Sequence, residues 1–240
     1  MSIMKITVPP ELAAVEPPEA RGLARDEVKL LVARDRRPLR HATFTELADV
    51  LDPGDLVVVN TSDTEPAAVD GHRADGRAVV LHVSGPADGG AYVVELRTPG
   101  GQRVLDATAG EHVRLPHGVT ATLVAPRAPG ESRLWLARIA VEGGLHGYLA
   151  CVGRPIQYSY VRGRWPLGYY RTIFALPIEG FGSAEMPSAA RPFTARVLDA
   201  LRARGVGAAE VVLHTGVSSL EAGRCRSPSG TAFRPPRQTP

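Results

Sequence analysis

Cysteine is scarce in this chain. The two present, Cys151 and Cys225, lie far apart and outside any metal-binding spacing, which excludes a disulfide framework and a clustered zinc site. Long apolar runs are missing as well. No stretch reaches the roughly 18 residues of a membrane-spanning helix, and Met1 to Pro10 carries no apolar signal segment. The expected compartment is therefore the cytoplasm, with no membrane partner. A strong charge of one sign is also lacking: 28 Lys and Arg face 25 Asp and Glu, for a net charge of +3, and the sequence pI is about 9.1. This balance permits contact with nucleic acid without demanding it, because phosphate contacts need clustered charge. No internal repeat is present.

What is there is the composition of a globular protein. The 240 residues are 44% hydrophobic and 22% charged, enough for one large or two small domains with a real core. Val28 to Ala33 reads as a short strand. Thr43-Phe44-Thr45-Glu46 is a capping-box pattern ahead of Leu47, Val50 and Leu51, so a short helix is expected. After the turn Asp52-Pro53-Gly54-Asp55, the run Leu56-Val57-Val58-Val59 predicts a buried parallel strand. It ends in Asn60-Thr61-Ser62, which puts small polar groups at the carboxyl end of a strand, where open α/β sheets hold ligands.

From about Gly71 to Gly147 the helical period disappears. The β-type runs 78–83, 91–96, 119–124 and 134–141 alternate with Gly and Pro turns. Strands at this spacing suggest a small barrel or sandwich. Beyond Gly147 the α/β character returns. Thr194 can cap a helix through Arg204, with Gly205 as its stop, and Glu210 to His214 reads as a second buried strand. The expected fold is thus an α/β domain interrupted by an inserted small β-barrel domain. Residues 1–68 and 148–222 form the discontinuous α/β part, 69–147 the insert, and 223–240 a tail without core-forming residues.

Four stretches in the second half carry more specific information. Gly153-Arg154-Pro155-Ile156-Gln157-Tyr158-Ser159-Tyr160 is followed by Tyr170-Arg171-Thr172-Ile173-Phe174-Ala175. Pro187-Ser188-Ala189-Ala190 with Phe193-Thr194 comes next, then Leu213-His214-Thr215-Gly216. In this order the chain resembles the S-adenosylmethionine:tRNA ribosyltransferase-isomerase family of queuosine biosynthesis. That family's pattern runs G-R-P-I-x-Y-x-Y, Y-x-T-x-F-A, P-T-A-G-L-H-F-T and L-H-x-G. The resemblance covers nearly all of residues 1–222. It implies an α/β domain interrupted by a barrel, and an enzyme that transfers and isomerises the ribosyl group of S-adenosylmethionine onto a 7-aminomethyl-7-deazaguanine base in tRNA. The product is epoxyqueuosine, with adenine and methionine released. S-adenosylmethionine is then a consumed substrate, and neither a cofactor nor a metal is expected. The oligomeric state is not legible.

This chemistry needs a base for the C5′ proton beside the sulfonium, donors for a carboxylate, and a slot for a nucleobase. His214 is the leading acid/base candidate, since imidazole titrates near neutral pH; the alternative is a histidine that only hydrogen-bonds its loop. Arg154 is suited to a carboxylate or phosphate, or equally to an ion pair. Asn60, Thr61 and Ser62 offer polar groups after a strand, or serve a turn. Ser188 and Ala189, with Thr194, either present amides to an anion or cap a helix. Tyr160, Tyr170, Thr172 and Gly216 complete the expected binding set. Tyr158, Tyr160, Tyr170 and Phe174 read as alternating along strands, a pattern more typical of core packing. The histidines other than His214 read as surface residues, and Cys151 as a small buried one.

Three departures bear on function. The family pattern N-D-T-R-V-x-P-A-R is here Asn60-Thr61-Ser62-Asp63-Thr64-Glu65-Pro66-Ala67-Ala68, which loses both arginines and places Asp63 at a usually basic position. Arg191-Pro192 replaces Leu-His before Phe-Thr. Family members continue past Gly223 through further α/β sequence, so the segment 223–240 is either a disordered tail or one translated out of frame. Two alternatives therefore stand beside the family reaction: an S-adenosylmethionine-consuming enzyme with another acceptor, and an inactive truncated ligand- or RNA-binding remnant.

Overall fold

Strands that bury alternate side chains need a second apolar layer, and six of them find it here by closing on themselves. The computed structural model describes Pro9 and residues 14–158, 160–177 and 180–217; the expected tail and Cys225 lie outside the described residues. β4 (Ala68–Arg73), β5 (Ala78–Pro86), β6 (Tyr92–Arg97), β7 (His112–Arg114), β8 (Thr120–Pro126) and β9 (Leu134–Ile139) form a closed barrel in the order β4-β5-β6-β9-β8-β7. Every neighbouring pair is antiparallel. Its interior is filled by Val69, Leu81, Val83, Val94, Leu96, Val113, Leu123 and Trp135. Closure removes the open edges that a six-stranded sheet would otherwise expose.

The helix α2 (Leu145–Val152) follows the barrel and inserts Leu145 and Leu149 into the same core. Gly153 ends it where a β-carbon would lie 2.0 Å from the Pro66 carbonyl oxygen, so a side chain has no room at this crossing. The chain then pairs with its own entry into the barrel. Ala68 N–H donates to the Arg154 carbonyl and Arg154 N–H to that of Ala68, both at 2.9 Å. The two passages between barrel and α/β part thus run side by side, the geometry of an insertion.

The α/β part holds the antiparallel pair β1 (Lys29–Val32) and β2 (Arg40–Thr43), the short helix α1 (Leu47–Val50), and the parallel pair β3 (Leu56–Asn60) and β10 (Gly207–Val211). Helix α3 (Ala195–Ala203) packs Val197 and Leu201 with Phe44, Phe193 and Val206. Thr194 caps it, accepting from Val197 N–H at 3.4 Å, and Gly205 closes it at φ 80°. The capping box before α1 is also present, with Glu46 reaching back to the Thr43 amide at 2.7 Å. The expected fold class, an α/β domain interrupted by a small β-barrel, is the observed one.

Several local expectations need correction. β3 is parallel but not buried: Leu56 is 61% and Val58 59% exposed, because only the Val57 and Val59 side of the pair is covered. The second strand ends at Val211, so Val212 to His214 continue as an exposed loop. The stretch with Tyr158, Tyr160, Tyr170 and Phe174 forms turns rather than strands, because Pro155, Pro166 and several glycines break any ladder. Cys151 is exposed on α2. His82 is buried, at 6% exposure, on the outer barrel face beneath the α/β part.

Candidate functional site

The carboxyl ends of β3 and β10 are held together by one side chain. Asn60 Oδ1 accepts from Ser62 N–H (3.1 Å) and Leu213 N–H (3.0 Å), while Nδ2 donates to the Leu213 carbonyl (2.8 Å). Thr61 is buried beside it and bonds Val211 through both amide and hydroxyl. This bracing brings the His214 loop onto Ser62: the Ser62 hydroxyl lies 2.8 Å from His214 Nδ1 and 2.7 Å from the Ser183 hydroxyl. Ser183 Oγ in turn accepts from Thr215 N–H at 3.1 Å and approaches the Leu213 carbonyl at 3.4 Å. A hydroxyl has one proton to give. With the Ser183 proton directed to Leu213, Ser62 donates to Ser183 and His214 Nδ1–H donates to Ser62. Nε2 then carries the lone pair on an exposed ring. Gly216 keeps the loop close to the barrel, since a β-carbon there would meet Ser84 Oγ at 2.6 Å.

The same segment continues into a cleft of about 830 Å³ between α2 and residues 165–177. Asp63, Glu65, His146, Arg154, Trp165, Arg171 and Thr172 contribute to its wall. Its size is that of a small-molecule site. Asp63, at the position where the family pattern is basic, is answered by Arg171: Nε and Nη2 each reach a different carboxylate oxygen at 2.9 Å. Glu65 is buried, accepts the Gly182 amide at 2.9 Å and faces His146 Nδ1 at 3.1 Å. Arg154 pairs with Asp70 at 2.5 Å, and desolvation pulls its guanidinium below the usual arginine range. Thr172 is buried, its hydroxyl accepting the Phe174 amide.

Of the residues singled out in the sequence, Asn60, Thr61, Ser62, His214 and Gly216 converge at the strand ends, and Arg154 and Thr172 line the adjoining cleft. Tyr170 enters through its carbonyl, which accepts from the Thr64 hydroxyl at 3.2 Å, and burial pushes its phenol up. The others do not join. Tyr160 is exposed and stacks on Tyr158. Ser188 and Ala189 sit on an exposed 3-10 turn. Thr194 is occupied by its cap and by Asp26 Oδ2 at 2.5 Å. Sequence reasoning missed Ser183, Glu65 with His146, and Trp165 as wall residues. Ser183 lies in a glycine-flanked loop with no periodicity to mark it.

Fold and site together define an α/β protein with a barrel insert and a cleft of mixed polar and apolar lining, entered by the segment that follows β3. The chain matches the family described as "Queuosine biosynthesis protein" over residues 2–231 and belongs to it. It is similar to curated proteins named S-adenosylmethionine:tRNA ribosyltransferase-isomerase. The Thermotoga maritima protein is 28% identical over 218 residues, covering 89% of this chain and 59% of the relative. That of Geobacter sulfurreducens is 30% identical, covering 89% and 60%, and that of Anaeromyxobacter sp. (strain Fw109-5) 33% identical, covering 87% and 58%. The chain spans about three fifths of the length of these relatives. A crystal structure of S-adenosylmethionine tRNA ribosyltransferase from Thermotoga maritima aligns over 88% of this chain and 58% of its own, at 23% identity and a TM-score of 0.32, a likeness too loose to argue from.

Proposed function

We propose that the chain is a ribosyltransferase-isomerase that binds S-adenosylmethionine in the cleft beside Asp63 and Glu65 and moves its ribosyl group onto a 7-aminomethyl-7-deazaguanine base in tRNA. Epoxyqueuosine is the proposed product, with adenine and methionine released. The observation that carries this reading is the continuity of one segment. Asn60 and Ser62 organise the His214 loop, and the next residues, Asp63 and Glu65, line the cleft. The carboxylates of buried Glu65 and half-buried Asp63 favour the sulfonium and ammonium charges of the donor, Arg154 and Arg171 suit its carboxylate, and Trp165 offers a face for a purine. In this reading His214 Nε2, on the loop that Asn60 and Ser62 hold beside the cleft segment, takes the C5′ proton acidified by the sulfonium. The names of the three relatives, S-adenosylmethionine:tRNA ribosyltransferase-isomerase, support the donor, the tRNA acceptor and the reaction type.

The exchange of a basic residue for Asp63 supports a second reading, in which the donor is the same and the acceptor is another amine. Adenine release measured with and without tRNA carrying the precursor base separates the two, and mass spectrometry of the nucleoside identifies the product. His214→Ala is expected to lower adenine release by about 100-fold with an unchanged thermal melt. Wild-type turnover in that variant removes His214 from the chemistry.

A further inference from the structure

The outer barrel face beneath the α/β part carries a second polar pocket, on the other side of the 154–157 segment from the cleft. It encloses about 310 Å³ between β5, β6 and residues 154–164. Its charged wall among the described residues consists of Arg97, Arg154 and Arg164, and the Glu185 carboxyl, hydrogen-bonded to the wall residue Tyr158, lies behind it. His82 also faces it, 6% exposed, and its Nδ1 has no hydrogen-bond partner among the described residues. A buried ring nitrogen left without a partner is costly unless a ligand supplies one.

Guanidinium groups gather beneath and around this pocket. The fully buried Glu95 beneath the pocket is shared by Arg97 at 3.1 Å and Arg133 at 2.7 Å, with Arg103 at 3.9 Å. Arg154 has Asp70. Arg164 has no acidic partner among the described residues, yet it stands close enough to Arg154 to depress that guanidinium further, after desolvation. Like charges assembled around a concave surface mark a place for an anion. Forked guanidinium donors match phosphate oxygens in particular.

We infer that this pocket, walled by His82, Arg97, Arg154 and Arg164, binds a phosphate group, either of an RNA backbone or of a free phosphate ester. The site rests on the proposed acceptor only for the RNA source. Arg164 is exposed and makes no ion pair among the described residues, so Arg164→Glu leaves the fold intact and reverses one wall charge. Two titrations are made on wild type and variant: tRNA binding by fluorescence anisotropy across a salt series, and protection by inorganic phosphate in a thermal melt. For an RNA source, Arg164→Glu weakens tRNA binding about tenfold and lowers the salt slope by about one, with S-adenosylmethionine affinity unchanged. For a free phosphate source, the variant loses protection by inorganic phosphate and keeps its tRNA affinity. A wild-type chain that ignores tRNA, combined with phosphate protection lost in the variant, sinks the acceptor reading and keeps the pocket. Unchanged tRNA affinity, salt slope and phosphate protection overturn the inference.

Discussion

His82 has no cationic role at neutral pH. Desolvation lowers its pKa to about 4; Glu95 opposes the shift, while Arg97, Arg154 and Arg133 reinforce it. The folded state therefore resists a proton that the unfolded chain accepts near pH 6.5. This group lowers stability as pH drops from about 6.5 towards about 4 and causes no further loss below that. Replacing His82 with Gln is predicted to flatten this part of the stability–pH curve in urea titrations; a slope equal to wild type would show that the imidazole does not contribute. Asp63 makes a related point. Read from sequence it is an unwelcome negative charge in a binding loop, but Arg171 meets it with a hydrogen bond and a two-point ion pair from more than a hundred residues away. A pair so distant in sequence leaves no mark in local patterning.

Strand β3 shows how far an apolar run can be trusted. Leu56-Val57-Val58-Val59 announces a strand and its parallel partner correctly, since β-branched residues favour an extended backbone. Burial is a property of what lies above each face, and only the Val57 and Val59 side meets α3 and its neighbours. The consequence is measurable. Val59→Ala, at a position 4% exposed, is expected to cost about 2 kcal/mol. Val58→Thr is expected to stay within about 0.5 kcal/mol of wild type. Chemical denaturation of both variants checks this, and equal losses would mean that the outer face is covered in solution. The helices α1 and α3 were legible because capping chemistry is local: Thr43 with Glu46, and Thr194 with Gly205, lie within a few residues of the turns they stabilise. β2 and β7 were not, being short, and β4 was not, being interrupted by Asp70, Gly71 and His72; there pairing partners rather than composition decide the conformation.

At the scale of the molecule, the barrel insert announces itself through alternating runs and regular turns, and the family motifs locate the second half in order. The motifs name residues without saying which of them meet. Asn60, Ser62 and His214 do, because Asn60 clamps both strand ends. Ser188 and Ala189 do not, sitting exposed on a separate 3-10 turn, nor does Thr194, whose hydroxyl caps α3. The central claim is that the segment from Asn60 to Pro66 builds the nucleoside site, with the buried Glu65 facing the donor's positive charge. Calorimetric titration of S-adenosylmethionine into wild type and Glu65→Gln tests it most directly, since the amide keeps the shape and the acceptor for the Gly182 amide. The account predicts at least a tenfold loss of affinity, about 1.4 kcal/mol; equal affinity for the two proteins would contradict it.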